Sequence, residues 1–324
     1  PPPPPTPPYT CRRQRQMCIR DRYTDVLQAI VLLFGSCLVA YFSFGQLDFS
    51  WASVVANTAP EKLSLMLPLD DPNLPWLGTL VGVPILGFYF WCTNQFVVQR
   101  VLGARSIADA RWGALFAGFL KLPVLYIMVV PGVMAGVFLP ELDNGDAVFP
   151  TLVTTLLPAG LVGLVMAGLL AAIMSSIDST LNAASALLTM DFLRPEKRAW
   201  SATRVVWVGR GFIVLFMLLA ASISPLIVNF PGLFHYLQSA LAYLVPPVAV
   251  VFVMGLFWRR ASATGAFATL LGGHLVSALL FTLSLLDLLS LHFTIIAGLS
   301  ALASVLIFLF AGGLGSPPSD DQVS

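Results

Sequence analysis

Long stretches of apolar residues, nearly free of charge, alternate along the chain with short loops that hold most of the polar and charged positions. An α-helix rises 1.5 Å per residue, so about 20 apolar residues cover a hydrocarbon core about 30 Å thick. By run length the chain has eight such spans, at about 24–45, 76–101, 113–138, 153–190, 203–225, 233–257, 263–285 and 291–311. The pattern predicts an all-α polytopic membrane protein, with one membrane domain over 23–312 and a polar tail at 313–324.

Loop charge gives the orientation. Arg100, Arg105 and Arg111 follow the second span, Arg194, Lys197, Arg198 and Arg204 the fourth, and Arg259 and Arg260 the sixth, so they share one side. The opposite loops hold Lys62 with Asp48, Glu61, Asp70, Asp71, Glu141, Asp143 and Asp146. Basic loops stay cytoplasmic, which fixes the first group as cytoplasmic.

Composition narrows the class further. Hydrophobic residues make up 57% of the chain and charged residues 10%, against about 25% charged in soluble domains. The net charge of +1 is spread over short loops, so no nucleic-acid surface is expected. Of four cysteines, Cys11 and Cys18 precede the first span while Cys37 and Cys92 lie within apolar runs, which fits neither a disulfide framework nor a zinc site. Residues 1–22 join a proline tract to a basic stretch ending in QRQMCIRDR, which reads as a non-native or disordered leader, and native sequence is expected upstream of Tyr23.

Several spans carry helix breakers. Pro84 and Gly87 stand just ahead of the polar run Trp91, Cys92, Thr93, Asn94 and Gln95, Pro123 and Pro131 lie in the third span, and Pro246 and Pro247 in the sixth. Interrupted membrane helices line binding sites or merely kink, and both readings stay open here. Ionisable residues are costlier, at about 2.5–3.5 kcal/mol near the bilayer centre. Lys121 sits about a third of the way into the third span, where it either faces a ligand or snorkels to an interface. Asp25 opens the first span, where a helix-start carboxylate is favourable, and Asp178 lies past the middle of the fourth. In that span Ala172, Ser175, Ser176 and Ser179 recur on one helical stripe. Such a stripe suits close helix packing, or a hard monovalent cation that takes neutral or anionic oxygens.

The strings YTDVLQ (23–28), YFWCTNQFVVQR (89–100), LK (120–121), VPGV (130–133), LLPAGLVGL (156–164), MSSIDSTLNAAS (174–185), LTMD (188–191), VGR (208–210) and YLQSALAYLVPPVAVVFVMGLFWRR (236–260) occur in this order. They resemble the solute:sodium symporter family, in particular its sodium/glucose cotransporter branch. The resemblance implies a leucine-transporter-type fold of two inverted five-helix repeats around a midplane site. It makes the first span the last helix of the first repeat, spans two to six the whole second repeat, and the remaining two additional helices. It also implies that helices before Tyr23, one of them broken, complete the sodium and solute sites.

By the same resemblance, sodium is held by the carbonyl of Ala172 and the hydroxyls of Ser175 and Ser176. Asp25 matches a carboxylate at a second cation position, and Asp178 and Ser179 belong to that position or to an exit path. Trp91, Lys121 and Gln238 match sugar-contacting positions, with Phe90 and Asn94 beside them. An indole face packs on sugar C–H groups while Lys and Gln bond hydroxyls. Two departures weaken the sugar assignment: Phe90 stands where a gating Tyr is common, and Gly87 where a polar side chain often reaches the sugar.

The function expected is sodium-coupled symport of a small solute, a sugar or polyol, by alternating access in a cell membrane, taken as the bacterial inner membrane. Sodium is the only cofactor-like ion expected, the lipid bilayer and the solute are the partners, and no oligomer is required. Two rivals stay open: a symporter for an organic anion or amino acid with Lys121 as counter-charge, and a symporter-like sensor. No enzyme is expected, since His235, His274 and His292 lack a serine or metal partner at motif spacing.

Overall fold

The computed structural model describes residues 9–64, 66–72, 74–139, 145–193, 198, 200–225 and 232–315, with side chains from residue 24 onward except that of Leu314. Leader residues 1–8, the loop charges Glu141, Asp143, Arg194 and Lys197, and tail residues 316–324 lie outside these. Among the described residues there are thirteen α-helices and no β-strand. They are α1 (Tyr9–Gly45), α2 (Trp51–Asn57), α3 (Trp76–Phe88), α4 (Gln95–Leu102), α5 (Ile107–Val124), α6 (Val130–Phe138) and α7 (Val148–Leu156). Then follow α8 (Ala159–Ala186), α9 (Ala202–Ile223), α10 (Leu233–Leu244), α11 (Pro246–Phe257), α12 (Ala263–Leu285) and α13 (Phe293–Leu314). Wide π-helical turns extend three of them, at Tyr89–Thr93, Leu125–Val129 and Leu187–Phe192.

Serines start several helices by accepting an orphan backbone N–H: Ser106 takes that of Asp109, Ser201 that of Arg204 and Ser262 that of Gly265. The Ser106 hydroxyl also donates to the Asp109 carboxylate. These caps set the register of the long apolar segments that follow.

Seven helical segments are long and apolar enough to cross a membrane, or eight when the bent pair α10 and α11 counts as one span. The eight expected spans are thus present, with three changes inside them and a bend in the sixth at the prolines marked in the sequence. The interruption of the second falls not at Pro84, which α3 passes through, but at the π turn Tyr89–Thr93 and the extended backbone of Asn94. The missing N–H of one proline leaves the neighbouring turns intact. The third span begins at Ile107, so Lys121 stands nearly midway along 32 residues rather than a third of the way. The fourth splits into α7 and α8 at Pro158, whose fixed φ of −61° caps α8. The sixth bends by 54° between α10 and α11, where Pro246 and Pro247 start a new helix.

The chain divides into two units, residues 1–62 with 99–229, and 63–98 with 230–324. In the first, Val39, Ala135, Leu152, Val153 and Val165 form a core joining α1, α6, α7 and α8. In the second, Leu86, Ala242, Val245, Ala249 and Ala297 join α3, α10, α11 and α13. The buried hydroxyls of Ser277 and Ser300 meet at 2.6 Å across α12 and α13. Apolar side chains are exposed on the spans: on α5 alone Leu115, Phe116, Phe119 and Leu122 are exposed, a surface suited to lipid or to further helices.

Candidate cation and solute site

In the first unit α1 lies against α8 at very short range. A Cβ added at Gly168 would stand 2.8 Å from the Val31 side chain, and one at Gly35 2.6 Å from that of Val165. Small residues let helix backbones approach closely, which is the main source of helix association where lipid removes the hydrophobic drive. Contact positions rise along α1 as they fall along α8, so the two run antiparallel. Continuing that register past Val31 and Gly168 brings Asp25 opposite Ser175, whose hydroxyl donates to the Asp25 carboxylate.

This placement corrects one reading of Asp25. Because α1 begins at Tyr9, Asp25 lies about four turns inside the helix, beyond the reach of the N-terminal dipole. A cation satisfies it instead: Arg100, in the last turn of α4, brings Nη2 to 3.1 Å from Asp25 Oδ2. The same nitrogen donates to Ser179 Oγ at 3.0 Å. One carboxylate therefore binds a hydroxyl through one oxygen and a guanidinium through the other. Pairing offsets the insertion cost of about 2.5–3.5 kcal/mol that a lone membrane carboxylate carries.

On α8 itself the Ser176 hydroxyl donates to the Ala172 carbonyl at 2.9 Å, and Thr180 Oγ1 donates to the Ser176 carbonyl at 2.8 Å. Ala172, Ser175 and Ser179 are half-buried and Ser176 is exposed. The expected sodium ligands thus occupy about one turn of one helix, with Asp25 bonded to their middle member. Every donor atom of the set is oxygen, the chemistry a hard cation takes. Asp178 is exposed and stands outside this network.

Among the solute candidates, Phe90, Trp91, Asn94 and Gln238 fall in the second unit and Lys121 in the first. Phe90 presents T-shaped contacts to Trp91 at 5.1 Å and to Phe96 at 5.8 Å, which fixes the indole while leaving it 49% exposed. The π turn that carries both rings is closed by Thr93 Oγ1 and the Asn94 N–H, each donating to the Tyr89 carbonyl at 2.9 Å. Wide turns of this kind recur at functional sites. Gln238 is half-buried on α10, two turns before the bend whose Val245 packs against the α3 side of the unit. Lys121 is exposed near the end of α5.

Arg100 was not among the expected site residues. Its signal was present, since it ends the string YFWCTNQFVVQR, but its place at a span end reads equally as a cytoplasmic loop charge.

Residues 20–273 match the profile of the Sodium:solute symporter family. Over 289 residues the chain is 37% identical to sodium/myo-inositol cotransporter 2 of Homo sapiens, covering 78% of this chain and 43% of that protein. It is 33% identical to the sodium/mannose cotransporter SLC5A10 of Bos taurus over 79% of this chain and 49% of that protein. The sodium/myo-inositol cotransporter of Mus musculus is 31% identical, with 79% and 42% covered. The chain spans less than half the length of the curated relatives it matches.

Proposed function

The chain belongs to the sodium:solute symporter family, and from that premise we propose that the protein carrying it couples sodium entry to uptake of a sugar or polyol by alternating access. The observation that supports this best is the oxygen cluster of the first unit. Within it Ser175 is bonded to Asp25, and Ser176 to the carbonyl of Ala172. Hydroxyl and carbonyl oxygens hold an alkali ion without trapping it, as a transported ion requires. Sodium is here a co-substrate, and no covalent chemistry is involved.

In this reading α1 closes the first repeat, the segments from Trp76 to Phe257 form the second, and α12 and α13 are additions. Sodium binds first at Ala172, Ser175 and Ser176 and favours the outward-open state. Solute then joins in the second unit at Trp91 and Gln238, with Phe90 and Asn94 supporting the indole, while Lys121 of the first unit stays a sugar-contacting candidate on the family resemblance alone. The two ligands together shift the equilibrium inward by their differential affinity for the two states. The membrane potential adds about 2.3 kcal/mol per charge per 100 mV. Asp178 borders the inner exit. The setting is a cell membrane, and the bacterial inner membrane stays part of this proposal, although the relatives named above come from mammals.

Uptake of labelled myo-inositol and mannose by the full-length protein in liposomes tests this. An inward sodium gradient is expected to drive accumulation that choline does not support, and unlabelled polyols are expected to compete where monocarboxylates do not. Accumulation indifferent to sodium would remove the proposal.

A further inference from the structure

Where the family resemblance implies a second cation position, at Asp25 and Ser179, the side chain of Arg100 stands. Nη2 of Arg100 sits between Asp25 Oδ2 at 3.1 Å and Ser179 Oγ at 3.0 Å, while the other carboxylate oxygen takes the Ser175 hydroxyl. Asp25 and Ser179 are thus held by a guanidinium in the place where an ion coordinated by both would sit. Guanidinium stays charged at any physiological pH, so it cannot vacate the position by losing a proton.

Resting on the sodium-coupled reading above, we infer that Arg100 is a tethered competitor for sodium at the Asp25–Ser179 position. The two cations occupy it in turn. Charge makes the alternation obligatory: Asp25 with Arg100 is neutral, and a further sodium ion would leave an uncompensated positive charge in a membrane segment, which is costly. Geometry makes it reversible. A single nitrogen serves both oxygens, a weaker grip than the two-nitrogen fork an Arg makes with a carboxylate. The exposures differ in the same sense, 45% for the Arg100 side chain and 20% for Asp25, so the guanidinium has open space to withdraw into while the carboxylate stays with α8. Arg100 then resets the position: it sets how much sodium is needed to fill it, and it neutralises Asp25 when sodium leaves.

Sodium activation of solute uptake by the full-length protein, compared for the wild type, Arg100→Gln, Arg100→Lys, Asp25→Asn and Asp25→Asn with Arg100→Gln, tests this. Removing the competitor in Arg100→Gln is expected to lower half-saturating sodium about two- to five-fold, the worth of a partly exposed ion pair. Arg100→Lys is expected to shift it less in the same direction, because the ammonium keeps the competing charge but is more strongly hydrated and sits on a shorter side chain. Asp25→Asn is expected to raise half-saturating sodium and to abolish the further effect of Arg100→Gln. An unchanged or raised half-saturating sodium in Arg100→Gln overturns the inference and makes Arg100 a support for Asp25. If Arg100→Gln fails to fold, a wild-type sodium curve in Arg100→Lys overturns it equally. Wild-type uptake that ignores sodium sinks the symport reading beneath it, a result distinct from any of these.

Discussion

Val31 on α1 fills the hollow over Gly168 on α8 so closely that a methyl group there would lie 2.8 Å from its Cγ1. A larger side chain at Gly168 has to push the helices apart. Gly168→Leu is expected to destabilise the protein by about 1–3 kcal/mol, the usual cost of overpacking, seen as a lower melting temperature in detergent. Gly118→Ala, with open space around its Cα, is expected to leave the melting temperature within a degree or two or raise it.

Ser175 and Ser176 differ in what they hold, the one Asp25 and the other the Ala172 carbonyl. Replacing either with Ala removes one oxygen from the cluster, worth about 1.5 kcal/mol or more where the bonded group is charged. Half-saturating sodium for uptake should rise about ten-fold in each variant. Sodium curves that overlay the wild type would disprove the cluster's role.

Trp91 is fixed edge-on by Phe90, and in the function proposed above it is the platform for a sugar ring. Trp91→Ala is expected to raise the solute KM about two- to twelve-fold at saturating sodium, from the loss of about 0.5–1.5 kcal/mol of stacking. Kinetics of labelled myo-inositol uptake measure it, and an unaltered KM would move the solute elsewhere.

Gly78 and Gly82 both face Thr294 but not the same part of it. A Cβ at Gly78 would meet the Thr294 hydroxyl at 1.8 Å, and one at Gly82 the Thr294 carbonyl oxygen at 2.0 Å. Both Ala variants should melt lower by about 1–3 kcal/mol equivalents. Thr294→Ala is expected to rescue Gly78→Ala in part and Gly82→Ala not at all, since only the first clash involves an atom the substitution deletes.

Hydropathy located every span because each must satisfy the same length and polarity requirement. It did not locate the joints. Apolar residues continue across Pro158, so run length merges α7 with α8 although the backbone turns there. Pro84 was the stronger breaker by residue type, yet the helix opens later, at Asn94, because one missing N–H is absorbed where neighbouring turns stay bonded. The serine stripe was legible from periodicity, since all its members share one uninterrupted helix. The contact of Arg100 with Asp25 was not, because it joins residues 75 positions apart and no local spacing encodes that.

The π turn at Tyr89–Thr93 has one residue more than an α turn would need. Were it to tighten into ordinary helix, everything on one side would swing by about 100° against the other, carrying Trp91 with it. Such an exchange of backbone bonds at Tyr89 would re-aim the Trp91 ring without melting the helix that bears it.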